Sequence, residues 1–417
     1  MTLLPDPNDP RLQSLRLSVL FASLPFGMLL FALPLIGRDM GASALEIGGL
    51  FSVFSLILVV VRPVVGRGLD HYGRRPFLIA GLLGYALANA VYGIASGVGG
   101  LYLARLAQGL GSGLMWLAAY AIVADLAPAE VRGGRYGQVE EMANRGAIIG
   151  SLVGFTVLGF IGRGDIGRGL ESGWHALFLG YTAASLVAAA IAWRGVPETL
   201  HRSRERVSLA PASTEDAPDG IQGVWRLPGQ LRILMGIVLL TASASALLSP
   251  ILMIYLRDHF SANMFTLALA YLPAALAASV LPSRLGRLSD RFGRRPPLVI
   301  ALLVGGLTSL AIPRLHSLWP LALLWVVEAA AFSAATPAEE ALVVDVSGGE
   351  RRGTAFGYYT AAAGLGGVIG PLIGGLLYDR FAAVWAFRAN ALLMLLGAAL
   401  IVLLVREPLR PAAAEPK

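Results

Sequence analysis

Residues 66–75 read Gly-Arg-Gly-Leu-Asp-His-Tyr-Gly-Arg-Arg, and residues 286–295 read Gly-Arg-Leu-Ser-Asp-Arg-Phe-Gly-Arg-Arg. Each of these basic loops follows a long apolar run, and the two aspartates, Asp70 and Asp290, are 290 − 70 = 220 residues apart. The same offset relates Asp125/Asp345, Gly146/Gly366, Gly150/Gly370 and Gly154/Gly374. Two halves that keep one register over this distance indicate an internal duplication, which among apolar segments is typical of two-lobed membrane transporters.

The composition is that of an integral membrane protein. Of the 417 residues, 56% are hydrophobic and only 14% are charged, and the mean hydropathy is +0.68. A soluble domain with a wetted surface carries more charge than this. Because a helix needs ~20 apolar residues to cross a hydrocarbon core of ~30 Å, the sequence predicts twelve spans. They lie at about 15–37, 44–66, 77–95, 100–125, 136–160, 175–195, 231–256, 265–285, 296–313, 318–345, 354–378 and 382–405.

Positive charge marks one side of the membrane. Most arginines lie in the two terminal segments and in the loops after spans two, four, six, eight and ten. Cytoplasmic loops are enriched in Arg and Lys, so we expect both termini in the cytoplasm and a location in a bacterial inner membrane. The first apolar run is long enough to span, so no cleavable signal peptide is expected. The polar, turn-rich segment 199–230 predicts a cytoplasmic linker between two six-helix bundles, residues 1–198 and 231–417.

Several other classes of protein are not supported. The net charge of +7 could indicate nucleic-acid binding in a soluble chain, but cytoplasmic loops account for it here, so no nucleic-acid partner is expected. The chain has no cysteine, and its five histidines lack metal-ligand spacing, so no metal site is expected. No nucleophile, base and orienting group occur together, which argues against an enzyme. We expect no cofactor and a monomer in the lipid bilayer.

The repeated basic loops resemble the signature loop of the major facilitator superfamily, in which a Gly, an Asp four residues later and a Gly three residues further precede two basic residues. With the twelve spans and the repeat, the resemblance covers nearly the whole chain. It implies an all-α membrane protein whose twelve transmembrane helices form two pseudo-symmetric six-helix bundles. In the family, this loop and an acidic residue at the end of the fourth span lock the outward-facing state. The implied conformational latch consists of Gly66, Asp70, Gly73, Arg74, Arg75 and Asp125, and of Gly286, Asp290, Gly293, Arg294, Arg295 and Asp345.

Span four carries a second resemblance, because Arg105, Gln108 and Gly109 fit the superfamily's Arg-x-x-Gln-Gly motif. At ~3.6 residues per turn, one face of this helix carries a polar and aromatic stripe. The stripe consists of Arg105, Gln108, Ser112, Trp116 and Tyr120. The 220-residue shift gives a matching stripe on span ten, made of Trp325, Glu328, Phe332, Thr336 and Glu340. We expect both stripes to face a cavity lined mainly by spans one, four, seven and ten.

Two stripe residues are charged at membrane depth, where a charge is costly and usually faces a cavity or a partner. Arg105 and Glu328 are therefore the leading functional candidates, and Glu328 would carry a coupling proton. A structural ion pair is the alternative interpretation, with Arg388 in span twelve as a competing partner for Glu328. Glu340 and Glu141 are next in line as coupling residues.

Glycines recur in spans five and eleven. Span eleven matches the spacing of the superfamily's antiporter motif with Gly357, Gly366, Gly370, Pro371, Gly374 and Gly375. Span five keeps Gly137, Gly146, Gly150 and Gly154, but Ser151 and Phe155 replace the proline and the last glycine. Small residues four apart let helices approach closely. We therefore expect helix packing and a hinge at Gly146, Gly150, Gly154, Gly366, Gly370, Pro371 and Gly374. Pro34 also suits a bent first span.

The resemblance implies a secondary active transporter that works by alternating access. The sequence lacks a Gly-x4-Gly-Lys-Ser/Thr loop for nucleotides, so a proton gradient is the expected energy source. The first hypothesis is efflux of small amphipathic or hydrophobic compounds, because the stripes are more apolar and aromatic than a sugar site needs. The second is a symporter or uniporter for sugars or other polar metabolites. The third is a membrane sensor or scaffold that transports nothing.

The predicted topology can be tested by labelling single cysteines introduced into this cysteine-free chain. Cysteines at positions 71, 201 and 292 should react from the cytoplasmic side, and those at positions 98, 168 and 316 from the external side, because they lie in alternate loops of the twelve-span arrangement. A reversed pattern within either half would contradict that arrangement.

Overall fold

The computed structural model describes residues 9–161, 168–200, 227–260, 264–281, 285, 293–347 and 352–405. Within these ranges, every regular element is helical, and thirteen of them are α-helices. In chain order they are α1 Pro10–Ala22, α2 Leu24–Asp39, α3 Ala44–Tyr72, α4 Arg75–Ile94, α5 Val98–Leu126, α6 Ala129–Ile161, α7 Arg168–Gly195, α8 Gly229–Phe260, α9 Met264–Val280, α10 Arg295–Ala311, α11 Leu318–Val346, α12 Arg352–Arg380 and α13 Ala383–Leu404. A short 3-10 turn, Ile312–Arg314, follows α10.

The helices correspond to the twelve predicted spans, because α1 and α2 are two parts of the first one. In the described part of the chain, ten spans are long and apolar enough to cross a membrane. The other two are α6, whose first half carries charges such as Arg132 and Glu140, and α9, which has 17 residues. The prediction of an all-helical membrane protein is confirmed.

Close contacts divide the chain into two units. One consists of Met1–Ser213 with Pro250–Ile254, and the other of Thr214–Ser249 with Tyr255–Lys417. The predicted linker 199–230 falls mostly outside the described residues, so its boundaries stay a prediction.

The first span is interrupted at Ser23, and the interruption has a local cause. Pro25 has no backbone N–H, so it cannot continue the helical hydrogen-bond ladder. The N–H of Ser23 donates to the carbonyls of Val19 and Leu20, at 3.0 and 3.3 Å, and the N–H of Phe26 donates to the Ser23 carbonyl at 3.1 Å. The chain therefore turns tightly between α1 and α2 without leaving the span. Pro34, where the sequence suggested a bend, lies inside α2, which continues to Asp39.

The glycines of α6 face this interrupted span along three successive turns. A Cβ atom on Gly146 would overlap the carbonyl oxygen of Leu20, and one on Gly150 would overlap that of Leu24. One turn further, a Cβ atom on Gly154 would lie 2.7 Å from the sulfur of Met28. Only glycine permits such an approach of two backbones. We call these three residues the α6 ridge.

The second half repeats this arrangement with α12 and α8. A Cβ atom on Gly366 would lie 2.7 Å from the amide nitrogen of Ser243. Cβ atoms on Gly370 and Gly374 would overlap the carbonyl oxygens of Ser243 and Leu247. Pro371 lies within α12, which runs on to Arg380. The repeated glycines thus mark equivalent backbone contacts in both halves.

Helix α5 is held closely between two neighbours in the first half. Cβ atoms on Gly109 and Gly113 would approach Ile57 and Val61 of α3 to 2.9 and 3.1 Å. On another face, a Cβ atom on Gly111 would lie 2.9 Å from backbone atoms of α4. The position of α5, which carries the first predicted stripe, is therefore fixed by backbone contact.

The α6 ridge predicts a large difference between two identical substitutions. Gly150→Ala should lower the stability of the purified protein by about 1–3 kcal/mol, because the methyl group forces α6 away from α2. Gly137→Ala, also in α6, adds its methyl group where no atom lies within 4 Å. It should raise stability by about 0.5–1 kcal/mol through the better helix propensity of alanine. Thermal unfolding in detergent measures both, and equal melting temperatures would show that the ridge is not closely packed.

Candidate functional site

The first half contains a cavity of about 460 Å³. Helices α2 to α6 all contribute to its wall. The lining residues are Phe26, Leu29, Leu30, Phe51, Phe54, Leu58, Arg62, Tyr85, Arg105, Gln108, Ser112, Trp116, Tyr120 and Glu140. One side of the wall therefore consists of leucine and phenylalanine side chains. The charged groups among the described lining residues are those of Arg62, Arg105 and Glu140.

All five residues of the predicted stripe on α5 line this cavity. They do so because residues spaced three or four apart fall on one face of a helix. Gln108 and Ser112 are buried, whereas Trp116 and Tyr120 are half-buried. Their contact with a substrate stays a prediction.

Arg105 is a buried cation held by neutral groups. Arg105 is 5% exposed, and one terminal nitrogen of its guanidinium donates to the Gln108 amide oxygen at 2.9 Å. The Tyr92 hydroxyl donates to the same oxygen at 3.2 Å. The guanidinium lies over the rings of Phe51 and Phe54, 4.6 and 5.4 Å from their centroids. In the described ranges, its Nε has no hydrogen-bond partner and no carboxylate pairs with it.

The other end of the stripe forms an aromatic cluster with one carboxylate. The Tyr120 hydroxyl donates to Glu140 of α6. The Tyr120 ring lies 5.5 Å from Trp116 and 5.4 Å from Tyr136. Arg62 of α3 also lines the cavity and is exposed.

Sequence reasoning does not include Arg62 or Glu140 among the predicted cavity residues. For Arg62 a signal exists, since Phe51, Phe54, Leu58 and Arg62 follow one another at helical spacing. An arginine inside an apolar span is itself a warning of function. For Glu140 the signal is weaker, because it lies in the charged first half of α6.

The stripe on α11 is placed differently. Trp325 is buried and packs edge-on against Tyr271 of α9, with ring centroids 5.4 Å apart. The side chains of Glu328 and Phe332 face Gly305 of α10. A Cβ atom on Gly305 would lie 3.6 Å from a carboxylate oxygen of Glu328 and 3.3 Å from the ring of Phe332.

The last two residues of this stripe are exposed. The Thr336 hydroxyl donates to the Phe332 carbonyl of its own helix at 3.1 Å, and Glu340 lies one turn further. Arg388, the predicted competing partner of Glu328, lies over the ring of Trp385 at 5.0 Å. Among the described residues, Glu328 forms no ion pair with Arg388.

The first basic loop forms a compact charged cluster around Arg74. Its guanidinium pairs with Asp125 at 3.1 Å and with Asp70 at 3.2 Å, and it donates to the Leu69 carbonyl at 2.6 Å. The Asp125 side chain is 10% exposed, whereas that of Asp70 is 77% exposed. Asp125 is therefore the stronger partner in this state, because water screens the Asp70 pair.

Glu198, which follows α7, completes this cluster. Its carboxylate accepts hydrogen bonds from the backbone N–H groups of Arg74, Arg75, Thr199 and Leu200, at 2.8 to 3.1 Å. Partial burial alone would raise the pKa of Glu198, but the four N–H donors together hold that pKa below its ordinary value. The cluster thus ties the loop after α3 to the end of α7.

Two further contacts fasten the end of α7. The Thr199 hydroxyl donates to Asp125 at 2.7 Å. Arg75 lies over the Trp193 ring, with its guanidinium carbon 5.2 Å from the centroid, and donates to the Trp193 carbonyl.

Sequence reasoning missed Glu198 and Thr199, which lie more than 120 residues from the loop. The sequence holds a weak signal, because Val196-Pro197-Glu198 after span six shares its first and last residues with Val405-Arg406-Glu407 after span twelve, although the offset is 407 − 198 = 209 residues and not 220. Glu407 lies outside the described residues.

The second basic loop repeats the geometry where it is described. Gly73 and Gly293 both have a positive φ, +105° and +103°, which glycine adopts without strain. Arg294 pairs with Asp345 at 3.5 Å. Arg295 donates to the carbonyls of Ile401 and Val402 in α13, at 3.2 and 2.6 Å. Gly286 and Asp290 lie outside the described residues, and a Cβ atom on Gly66 would have no neighbouring residue within 4 Å.

Comparison with known proteins agrees with the helices and the repeat. The sequence profile described as the Major Facilitator Superfamily matches residues 15–284 and 234–417. The chain belongs to the major facilitator superfamily. It is therefore a multi-pass membrane transporter, not a member of an enzyme family, and its fold class is the predicted one of two six-helix bundles.

Individual members of the superfamily resemble this transporter over most of its length. It is 27% identical over 399 residues to multidrug resistance protein MdtG of Klebsiella pneumoniae (strain 342), covering 93% of this chain and 92% of that protein. It is 23% identical over 368 residues to multidrug resistance protein 2 of Bacillus subtilis (strain 168), covering 87% of each. The crystal structure of a D-xylose-proton symporter shares the fold with a TM-score of 0.75 at 16% identity, over 95% of this chain and 99% of that one.

The contacts around the first basic loop predict that Glu198 contributes more to the stability of the transporter than Glu141 does. Glu198→Gln should lower the stability of the purified transporter by about 1–2 kcal/mol, because a neutral amide accepts the four N–H groups poorly. Glu141→Gln is the matched control, since its pair with Arg145 is a half-exposed i, i+4 contact. Its effect should stay below about 0.5 kcal/mol.

The pH dependence of this difference follows from the lowered pKa of Glu198. The stabilisation is complete above the pKa of an unperturbed glutamate, about 4.3. It is lost as the pH falls through the lower value of the folded protein. Thermal unfolding from neutral to acid pH should therefore show the gap between parent and Glu198→Gln closing in that range. A gap that widened on acidification would contradict the assignment.

Proposed function

We propose that the transporter exports small amphipathic or hydrophobic compounds, driven by protons that enter the cell. In this proposal it acts in a bacterial inner membrane with both termini in the cytoplasm, as a monomer without a resident cofactor. The observation that carries the proposal is the wall of the cavity in the first half. The names of relatives, which are multidrug resistance proteins, support it.

The apolar side of the cavity consists of Phe26, Leu29, Leu30, Phe51, Phe54 and Leu58. Such a wall binds a ligand by removing apolar surface from water, at about 25 cal/mol per Å². A few polar groups then orient the ligand. A binding site of this kind accepts many shapes, as long as the compound is partly apolar.

A sugar would need polar partners for each hydroxyl group, since an unpaired buried polar group is costly. In the cavity, the Gln108 oxygen already accepts hydrogen bonds from Arg105 and Tyr92. Glu140 already accepts one from Tyr120. Part of the polar lining is thus already engaged, which favours the amphipathic compound over the sugar.

The proposed coupling residue is Glu328. It lies within α11 beside Gly305, Phe332 and Tyr271, where an unpaired carboxylate charge is costly at membrane depth. A proton bound there in one state and released in the other would couple its movement to that of the substrate. Glu339 follows on the same helix near Tyr359 and was not singled out by sequence reasoning.

Transport by purified protein in liposomes tests this proposal, with a panel of compounds and with or without an imposed pH gradient. The parent should move amphipathic compounds faster when the gradient is present. Glu328→Gln mimics the protonated form, so it should still exchange substrate down a concentration gradient while losing the acceleration by pH. Asp258→Asn, an exposed position at the end of α8, is the control that should keep it.

Full acceleration by the pH gradient in Glu328→Gln would move the coupling site to another carboxylate. Transport of sugars in place of amphipathic compounds would reject the export proposal itself.

A further inference from the structure

The charges of the cavity do not balance. Among the described residues, three charged side chains line it, namely the guanidinium groups of Arg62 and Arg105 and the carboxylate of Glu140. In the described part of the chain, no carboxylate forms an ion pair with either arginine. The cavity therefore carries an excess of one positive charge within an apolar wall, where charges interact more strongly than in water.

Arg105 is the more demanding of the two cations. The residue is 5% exposed, and its Nε, although buried, has no hydrogen-bond partner among the described residues. The rings of Phe51 and Phe54 attract the guanidinium, but they do not neutralise it. A buried charge without a counter-charge is costly, and an anion at this place would remove the cost. A planar guanidinium offers a pair of parallel donors that fits a carboxylate or sulfonate group.

Arg62 argues against an organic cation as the ligand of this cavity. Trp116 and Tyr120 next to Glu140 would by themselves suit an organic cation, because aromatic faces and a carboxylate both attract positive charge. Arg62, however, lines the same cavity as Tyr120 and Glu140. A cation placed near Glu140 would meet this second positive charge, and like charges at a binding site exclude the wrong partner.

We infer that the cavity selects amphipathic compounds that carry a single anionic group, a carboxylate or a sulfonate, on an apolar ring system. Arg105 binds the anionic group, Arg62 excludes cations, and the wall of α2 and α3 holds the rings. The inference rests on the proposed function, because it names the class of compound that the exporter takes.

Two probes with the same ring system test the inference. They are 1-anilinonaphthalene-8-sulfonate, which is an anion, and N-phenyl-1-naphthylamine, which lacks only the sulfonate. Binding to the transporter in nanodiscs is measured by calorimetry, with empty nanodiscs subtracted. The parent should bind the anion about tenfold more tightly or better, as expected for a charge-assisted hydrogen-bonded pair.

The variants separate charge from packing. Arg105→Gln should weaken binding of the anion by about tenfold and change that of the neutral probe by less than about threefold, because only the charged contact is lost. Arg105→Lys should recover part of the affinity. Glu140→Gln should strengthen binding of the anion by removing the negative charge found among the described lining residues. Arg38→Gln, an exposed arginine at the end of α2, removes the same charge outside the cavity and should change neither affinity.

The outcomes distinguish this inference from the proposed function. Equal binding of the two probes by the parent, or equal loss of both in Arg105→Gln, would overturn the anion preference while leaving the exporter intact. Binding of neither probe by folded parent protein would overturn both. If the Arg105 variants do not fold, Arg62→Gln tests the anion preference instead, because Arg62 is exposed and its substitution leaves the packing intact. It should weaken binding of the anion several-fold and not that of the neutral probe, and an unchanged preference would reject the inference.

Discussion

The hydrocarbon interior of a bilayer provides no hydrogen-bond partners, so each backbone N–H and C=O group must find its partner within the protein. Helices meet this requirement, and all regular elements of the described residues are helical. The places where the ladder is interrupted are therefore informative. At Ser23 and Pro25 the first span turns while its N–H groups still reach carbonyls one turn away. The α6 ridge covers this turn with glycine, so that no side chain separates the two backbones.

The same requirement sorts the charged residues into two groups. One group lies at the helix ends, where Arg74 with Asp125 and Arg294 with Asp345 close equivalent corners of the two halves. These pairs hold helix ends together. Water reaches the second pair, whose side chains are 25% and 40% exposed, more easily than the first, whose side chains are 7% and 10% exposed. The other group lies within the spans and includes Arg105, which is buried without a counter-charge in the described residues. A charge kept at such a cost is evidence of use, because a neutral residue would pack there more favourably.

Most of the fold could be predicted from the sequence, because the length of an apolar run and a repeat of 220 residues are both visible without any knowledge of how the helices pack. The stripe on α5 was predictable for the same reason, since the helical period of one element determines its face. The contributions of Tyr85 and Glu140 to the cavity were not predictable, because they depend on how different helices pack. The interruption at Ser23 was hidden within a single apolar run. Glu198 was missed because all four of its partners are backbone N–H groups, which have no residue signature, and two of them, those of Arg74 and Arg75, are distant in sequence.

The cavity wall is built from two closely packed groups of helices. Through the α6 ridge, α6 is bound to the first span, and this group carries Glu140. Through Gly109 and Gly111, α5 is bound to α3 and α4, and this group carries Arg62 and Arg105. The negative charge of Glu140 thus belongs to one group of helices, and the positive charges of Arg62 and Arg105 belong to the other. When the two groups of helices move apart, these opposite charges are separated at a cost in electrostatic energy. The energy is recovered when the groups approach each other again. The width of the cavity and the electric field inside it consequently change together.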